Sequence, residues 1–311
     1  MIDTQRGAPQ AQRLPSWLKR PVAQAGAVQP LEQSLSDANL HTVCAEAKCP
    51  NRGECFGRGT ATFLILGKIC SRSCNFCGIT HGAPQPLDKD EPRRVAGTVK
   101  RMGVSHAVIT SVTRDDLPDG GANQFAAVIR LLKQELPAVT VEVLVPDFCG
   151  NDRSLSTVLD AGPDVFNHNI ETVLRLYPVV RPQANYKRSL EILAKAARHE
   201  VQLNVKSGLM VGLGETPEEV FSTLADMRAA GCAMVTIGQY LRPSKEQVPV
   251  AEFIMPEKFN EYKRRALAMG FTEASSGPFV RSSYRAEEMV KKSKITTETR
   301  RTLRNKTETG G

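Results

Sequence analysis

Residues 61–77 read Ala-Thr-Phe-Leu-Ile-Leu-Gly-Lys-Ile-Cys-Ser-Arg-Ser-Cys-Asn-Phe-Cys. A short apolar run at residues 62–66 is followed directly by three cysteines, Cys70, Cys74 and Cys77. A continuous apolar run of this length, bounded by a glycine, predicts a buried β-strand. We therefore expect three thiols to converge in one short loop at the carboxyl end of a strand.

Further apolar runs follow along the chain, each separated from the next by an amphipathic stretch. The strand candidates are residues 62–66, 106–112, 139–145, 165–169, 202–211 and 233–241. The helix candidates are residues 89–102, 122–135, 152–161, 185–199, 217–230 and 256–269. This alternation predicts an α/β fold with a parallel sheet. Six βα units fit a partial (β/α)6 TIM-like barrel better than a closed barrel of eight units, and ligands then gather at the carboxyl ends of the strands.

The barrel is expected to carry an extension at each end of the chain. We divide the chain into an N-terminal arm (1–39), a cysteine-bearing segment (40–60), the barrel (61–270), a C-terminal extension (271–290) and a basic tail (291–311). The first 35 residues or so are rich in proline and show little periodicity, so we expect them to form an extended arm. The tail is rich in Lys, Thr and Glu, and we expect it to be disordered.

Composition and charge narrow the functional classes. The hydrophobic share of 41% is typical of a globular protein, and no apolar run reaches the roughly 18 residues that a membrane span needs. The start lacks a secretory signal, so we expect a cytoplasmic protein, with an organelle transit peptide as the alternative. Of the net charge of +8, the tail contributes +5 with seven Lys or Arg and two Glu, which leaves +3 for the rest. Charge alone therefore does not indicate a nucleic-acid partner.

The chain has eight cysteines. Without an export signal, metal binding or catalysis explains them better than a disulfide framework. Three thiolates on a four-iron cluster leave one iron open to a small molecule, whereas a structural zinc site is normally closed by four ligands. A zinc loop and three buried thiols remain the alternatives.

The spacing of this first triad, Cys-x-x-x-Cys-x-x-Cys with Phe76 before the last cysteine, resembles the signature of the radical S-adenosylmethionine superfamily. The resemblance implies a 4Fe–4S cluster whose open iron is chelated by the amino and carboxylate groups of S-adenosyl-L-methionine. It also implies that one electron from the cluster cleaves the sulfonium and releases a deoxyadenosyl radical.

Cys44, Cys49 and Cys55 form a second triad upstream of the first. Their spacing alone does not separate a zinc site completed from elsewhere from a second iron–sulfur cluster. The stretches His41-Thr-Val-Cys44 and Cys49-Pro-Asn resemble the auxiliary-cluster motif of the lipoyl synthase family. The likeness covers residues 40–286 and includes Arg114-Asp-Asp-Leu-Pro-Asp-Gly-Gly121, Asn167-His-Asn-Ile-Glu-Thr172, Gly212-Leu-Gly-Glu215, Gln239-Tyr-Leu-Arg-Pro243 and Gly277-Pro-Phe-Val-Arg-Ser-Ser-Tyr284.

The resemblance implies that the second triad holds an auxiliary 4Fe–4S cluster whose fourth ligand is the second serine of Arg281-Ser-Ser-Tyr284, Ser283. It implies insertion of two sulfur atoms at carbons six and eight of a protein-bound octanoyl-lysine, with the sulfur supplied by the sacrificed auxiliary cluster. The implied partners are an octanoylated lipoyl carrier domain or glycine-cleavage carrier protein, an electron donor and an iron–sulfur carrier for cluster repair.

Two other functions remain open on the sequence. Another radical enzyme with an auxiliary cluster, such as a methylthiotransferase, differs from this family in lacking a serine fourth ligand. A metal-stabilised nucleic-acid-binding protein fits less well, because the body carries only +3 and the aromatic share is 5%. We expect neither a nucleic acid nor a membrane as a partner.

Several residues at predicted strand ends are candidate contacts to S-adenosylmethionine or substrate. Phe76 lies in the loop after the first strand, Thr113 follows the second strand, Asn169 and Glu171 close the fourth, and Lys206 lies on the fifth. Gly212 and Gly214 end the fifth strand and would allow a close approach of backbone to the adenosyl group. The structural explanations are a helix cap for the serines near residue 283, an ordinary strand-to-helix turn for the two glycines and a hydrogen-bonding role for His168. We expect Cys149 and Cys232, which have no triad partners, to be incidental thiols.

Overall fold

The six predicted apolar runs form consecutive strands of one sheet in the computed structural model, which describes residues 13–20, 25–200 and 203–293. The strands in chain order are β1 (His41–Thr42), β2 (Thr62–Ile65), β3 (His106–Ser111), β4 (Thr140–Leu144), β5 (Val165–Asn167), β6 (Asn204–Val211), β7 (Met234–Gln239) and β8 (Glu273–Gly277). They pair in the order β1 to β8, with β1 antiparallel to β2 and every other pair parallel. Within the described ranges no pairing joins β8 to β1, so the curved sheet is an open partial barrel, as predicted.

The sheet has eight strands rather than the predicted six. The extra strands are β1, which has only two residues, and β8, whose sequence Glu-Ala-Ser-Ser-Gly is mostly half-buried. Neither contains an apolar run, so sequence periodicity does not reveal them. Because β8 pairs with β7 along five residues, part of the predicted C-terminal extension continues the barrel wall.

The long helices between the strands match the six predicted ones. They are α4 (Glu91–Met102), α5 (Ala122–Glu135), α6 (Asp152–Leu159), α8 (Tyr186–Ala197), α9 (Pro217–Ala229) and α10 (Pro256–Ala268). The others are α1 (Ala25–Asp37), α2 (Val43–Glu46), α3 (Arg52–Gly57) and α7 (Tyr177–Val180), with 3-10 turns at Ser16–Leu18, Phe148–Gly150 and Leu174–Leu176. No helix of the described chain is long and apolar enough to cross a membrane.

The N-terminal arm is not extended throughout, which corrects the prediction. Helix α1 occupies most of its second half, and Leu31 and Leu35, four residues apart, are buried on one face of it. Residues 1–12 and 21–24 of the arm lie outside the described residues.

A helix at residues 286–293, which we call the C-terminal helix, closes the lower end of the barrel. Its Met289 and Val290 pack against Val165 and Met234, the first residues of β5 and β7. The first three residues of the predicted basic tail are therefore helical, and the rest of the tail, from residue 294, lies outside the described residues. The upper end, where the strands finish, stays open for ligands.

Candidate functional site

A cavity of about 830 Å³ lies inside the barrel and reaches the carboxyl ends of the strands. Successive side chains of a strand point to opposite faces of the sheet, so every second residue of a strand faces the barrel interior. Leu64 on β2, Val108 on β3 and Leu144 on β4 are such inward-facing residues, and they line the cavity. The cavity is also lined by all six triad cysteines and by the Arg-Ser-Ser-Tyr segment, residues 281–284. The structure thus brings both triads to one space.

The first triad lies in the loop after β2, as predicted. The Cys70 sulfur accepts hydrogen bonds from the backbone amides of Arg72 at 3.4 Å and Thr113 at 3.3 Å. The buried Arg72 guanidinium donates to Asp115 and to Asp147, each at 2.6 Å. This loop is therefore fixed to the ends of β3 and β4 before any ligand binds.

Two thiols of the first triad, Cys74 and Cys77, are destabilised as anions in the absence of a cation. Burial raises the pKa of Cys74, and burial together with the neighbouring thiols raises the pKa of Cys77 to about 12. A bound metal centre deprotonates a coordinating thiol outright, which resolves this cost. The donor set therefore fits a cationic iron–sulfur centre.

The second triad lies in two short helices and the turn between them. Cys44 is in α2, Cys55 is in α3, and Cys49 donates its backbone amide to the Cys44 carbonyl at 3.1 Å. Burial raises the pKa of Cys44 to about 11 and that of Cys55 to about 12, and Coulombic repulsion from other triad members contributes. In the part of the chain that the structure describes, no three Cys, His, Asp or Glu side chains converge as a single metal ion requires.

The Arg-Ser-Ser-Tyr segment faces the second triad across the cavity. Glu54 joins the two: its carboxylate accepts hydrogen bonds from the Tyr284 hydroxyl at 2.8 Å and from Arg285 at 3.3 Å. Arg20, in the N-terminal arm, forms an ion pair with the same carboxylate and stacks on the Phe279 ring at 3.8 Å. These contacts lower the pKa of Glu54 although partial burial raises it, so three parts of the chain meet at one carboxylate.

Four of the predicted cofactor contacts line the cavity: Phe76, Thr113, Asn169 and Glu171. The Asn169 amide donates to the Glu171 carboxylate at 3.0 Å. Burial raises the pKa of Glu171, and the nearby Arg181 guanidinium opposes that effect. Glu171 also has a positive φ of 68°, which is uncommon for a residue with a side chain and marks a constrained position.

The other three predicted contacts lie elsewhere. Lys206 is fully buried and is not among the residues that line the cavity. It forms an ion pair with Glu142. Gly212 and Gly214 form the turn after β6, also outside the lining, and a Cβ at Gly212 would lie 2.2 Å from the Gln239 side chain. The requirement for glycine at 212 is therefore explained by packing, and the predicted cofactor contacts of these three residues stay predictions.

Arg181 is a site residue that sequence reasoning missed. Its Nη1 donates to the backbone carbonyls of Asn169 and Ile170, both at 3.1 Å, while its Nε is buried without a hydrogen-bond partner among the described residues. The Ser111 hydroxyl is likewise buried and unpartnered beside the cavity. Unpaired buried donors of this kind fit an anionic ligand group, such as the carboxylate of S-adenosylmethionine. Arg181 directly follows the four-residue helix α7, in a part of the chain where the sequence predicted neither a strand nor a helix, so no periodicity marks it.

His168 has the structural role that its alternation on the strand predicted. Its Nδ1 lies 2.8 Å from the Val145 carbonyl, and its Nε2 lies 3.0 Å from the Ser189 hydroxyl. The carbonyl requires a proton on Nδ1, so Nε2 accepts from the hydroxyl and the ring is neutral. Burial lowers the pKa of His168 to about 4.

Residues 64–227 of the chain match the Radical SAM superfamily, and residues 2–49 match the N-terminal domain of lipoyl synthase of the radical SAM family. The chain is 54% identical over 276 residues to a lipoyl synthase of Rubrobacter xylanophilus, covering 89% of this chain and 86% of that protein. It is 54% identical over 275 residues to a lipoyl synthase of Caldanaerobacter subterraneus subsp. tengcongensis, covering 88% of this chain and 96% of that protein.

Two solved structures share the fold. HydG, a maturase of the FeFe-hydrogenase, has a TM-score of 0.53 at 15% identity and covers 79% of this chain and 66% of its own. SuiB from Streptococcus suis bound to S-adenosylmethionine has a TM-score of 0.52 at 10% identity, covering 66% of this chain and 46% of its own. The sequence matches are the stronger finding, and they agree with the placement of the first triad after β2. The chain belongs to the lipoyl synthase family of radical S-adenosylmethionine enzymes.

Proposed function

We propose that this chain is a sulfurtransferase that inserts two sulfur atoms, at carbons six and eight, into an octanoyl group carried on a lysine of another protein. The observation that carries the proposal is the meeting of six thiols and the Arg-Ser-Ser-Tyr segment around one cavity. One cavity then holds both the ligands of the cluster that generates the radical and the ligands of the cluster that supplies the sulfur. When bound, S-adenosylmethionine and its cluster supply a radical that abstracts hydrogen, and the second cluster supplies sulfide.

The proposed ligands fall into two sets. Cys70, Cys74 and Cys77 hold the radical cluster, and Cys44, Cys49, Cys55 and Ser283 hold the auxiliary cluster. The choice of the second serine is supported by the hydrogen bonds of the first. The Ser282 hydroxyl donates to the Asn169 side chain at 2.9 Å, whereas the Ser283 hydroxyl has no hydrogen bond to any described residue. An alkoxide is a hard ligand beside soft thiolates, which suits a cluster that is consumed.

The cavity walls position the small-molecule cofactor. The Arg181 guanidinium and the Ser111 hydroxyl bind its carboxylate end, and Asn169 and Glu171 bind its ribose hydroxyls. The Glu171 carboxyl offers oxygens that accept hydrogen bonds from a ribose hydroxyl. Ser111 ends β3, and the other three groups lie in the stretch after β5, where the Glu171 backbone is hydrogen-bonded to Gly208 and Met210 of β6. Because the sheet fixes these positions, the cofactor is oriented without rearrangement of the wall.

The proposed partners follow from the reaction. An octanoylated lipoyl carrier domain or glycine-cleavage carrier protein docks transiently at the cavity mouth, because the reacting carbons belong to a chain attached to another protein. An electron donor reduces the radical cluster. An iron–sulfur carrier rebuilds the auxiliary cluster, since each product consumes it.

The experiment that tests the function is mass spectrometry of an octanoyl-lysine peptide incubated anaerobically with the reconstituted chain, S-adenosylmethionine and reductant. The auxiliary cluster is rebuilt beforehand with heavy sulfide. We expect two heavy sulfurs in the product from the parent chain. We expect none from a Cys55→Ala variant, which removes an auxiliary ligand but leaves the first triad intact.

Cys232→Ala is the matched control, because this thiol lies outside both triads and outside the cavity lining. It should give the parent yield. Cleavage of S-adenosylmethionine without sulfur insertion by the parent chain would refute the sulfurtransferase proposal while leaving the radical fold. Product containing only light sulfur would refute the auxiliary cluster as the source.

A further inference from the structure

Lys206 lies inside the barrel with no access to solvent. Its ammonium donates to the Glu142 carboxylate on β4 at 2.8 Å and to the backbone carbonyl of Ser282 at 2.6 Å. Glu142 is also fully buried, and His106 on β3 lies 3.1 Å from its other oxygen. Residues on three strands of the sheet, β3, β4 and β6, thus direct one positive charge at a carbonyl of the Arg-Ser-Ser-Tyr segment.

The two hydrogen-bond acceptors of Lys206 differ in how firmly the fold holds them. Glu142 belongs to a central strand that is hydrogen-bonded on both sides, so the anion is fixed by the barrel wall. Ser282 belongs to an irregular segment between β8 and the C-terminal helix. Removing a hydrogen-bond acceptor from a buried ammonium costs more free energy than removing one from a buried neutral donor. The Lys206 ammonium therefore strongly favours the position of the segment in which the Ser282 carbonyl accepts its hydrogen bond.

Ser282 is held a second time by its side chain. Its hydroxyl donates to Asn169, whose amide donates to Glu171. The residue before Ser283 is therefore fixed by its carbonyl to the interior of the barrel and by its hydroxyl to the proposed S-adenosylmethionine wall. Because both the carbonyl and the hydroxyl of Ser282 are hydrogen-bonded, the backbone at Ser282 is fixed, and it sets the orientation of Ser283.

We propose that Lys206, held by Glu142, is a positioning residue that fixes the backbone before Ser283 and so directs the Ser283 hydroxyl at the auxiliary cluster. This inference rests on the proposed ligand role of Ser283. It assigns Lys206 to the sulfur-donating side of the site instead of to the carboxylate of S-adenosylmethionine. The backbone contact also explains why a lysine is buried at a place that the cavity does not reach.

The test uses the full chain with its three radical-triad cysteines replaced by alanine, so that only the auxiliary cluster is reconstituted. Iron release to a ferrous chelator is followed for Lys206→Met, Ser283→Ala and the double variant, and Mössbauer spectra report the unique iron. Hydrogen exchange of the backbone amides at residues 281–285 is measured in the same proteins. Lys133→Met is the matched control, because this lysine is paired with Asp164 on the outer face of the barrel.

We expect Lys206→Met to speed iron release roughly tenfold, the order expected for loss of one charge-assisted hydrogen bond. It should also speed exchange at residues 281–285 and shift the Mössbauer spectrum toward that of Ser283→Ala. Added to Ser283→Ala, it should change the release rate no further, because the ligand that it positions is already gone. The Lys133 variant should match the parent.

An unchanged rate in Lys206→Met would overturn the inference, and so would an equal acceleration in the Ser283→Ala background, which indicates a general loss of structure. If Ser283→Ala itself leaves iron release and the spectrum unchanged, the ligand assignment in the proposed function fails and the inference fails with it. Should Lys206→Met not fold, Lys206→Met with Glu142→Gln removes both buried charges and is measured against the parent, with the same expected and contradicting results.

Discussion

We expect the buried His168 to lower the free energy of unfolding of the chain in mild acid. His168 is neutral in the folded chain, with a pKa of about 4 against an ordinary value of 6.5. Burial is the main cause, because a charged imidazolium there would lie in a low-dielectric interior next to the Arg181 charge. Replacement by glutamine removes the titration, while its amide can still donate to the Val145 carbonyl and accept from the Ser189 hydroxyl.

The sign follows from which state binds the proton. Between pH 7 and pH 5 the unfolded histidine becomes protonated and the folded one does not, so protons favour the unfolded chain and stability falls as pH falls. Stability from this group is complete above the unfolded pKa and stops falling once the pH is below the folded pKa. With these two pKa values the loss from pH 7 to pH 5 is about 2 kcal/mol, and the limiting loss is about 3 kcal/mol.

Urea unfolding of the parent chain and of His168→Gln, followed by circular dichroism, measures this contribution. Both proteins are prepared without clusters, so that acid release of iron does not enter the comparison. The other four histidines are common to both chains, and their contributions cancel in the difference. Parallel pH profiles for the two proteins would refute the neutral, buried assignment of His168.

Three further predictions concern other parts of the molecule. Glu142→Ala leaves buried positive charge uncompensated and should lower the free energy of unfolding by about 3–5 kcal/mol, against at most about 1 kcal/mol for Asp152→Ala in an exposed ion pair, both measured by urea unfolding. In Gly238→Ala the new Cβ would lie 2.0 Å from the Val280 carbonyl oxygen, so we expect the free energy of unfolding to fall by about 1–3 kcal/mol. Gly26→Ala, whose new Cβ would meet open space in α1, should leave stability unchanged or raise it slightly. Thermal unfolding of the two variants measures the difference. Asp147→Asn removes a charged partner of the guanidinium that fixes the first triad and should weaken that loop by about 2 kcal/mol, seen as faster iron release from a chain that retains only the first triad; unchanged release would contradict the anchoring.

The parts of the fold that follow a simple period were predictable from the sequence. The strands β2 to β7 and their six long helices each bury a continuous run or one face, so hydrophobic periodicity marks them. β8 was missed because it is a polar strand whose pairing with β7 depends on long-range contacts. Helix α1 was missed because Pro30 and weak periodicity suggested extended chain, although Leu31 and Leu35 bury one face of it.

The candidate site divides in the same way. The two cysteine triads and the Arg-Ser-Ser-Tyr segment carry local spacing signals, and the structure brings them to one cavity. The roles of Lys206 and Arg181 depend on what each side chain meets across the barrel, and spacing along the chain contains no such information. A lysine on an inward-facing strand position has the same sequence signature whether it binds a ligand or an internal carboxylate.

The carboxylate of Glu54 joins residues 230 and 231 positions away along the chain, Tyr284 and Arg285. During synthesis, all six triad cysteines leave the ribosome within the first 77 residues, long before the segment that covers them. The site is therefore uncovered while the remainder of the chain is synthesised. In the finished protein, access to the site requires that the last segment detach from Glu54 and that Ser282 leave Lys206 and Asn169, a local opening that leaves the barrel strands paired.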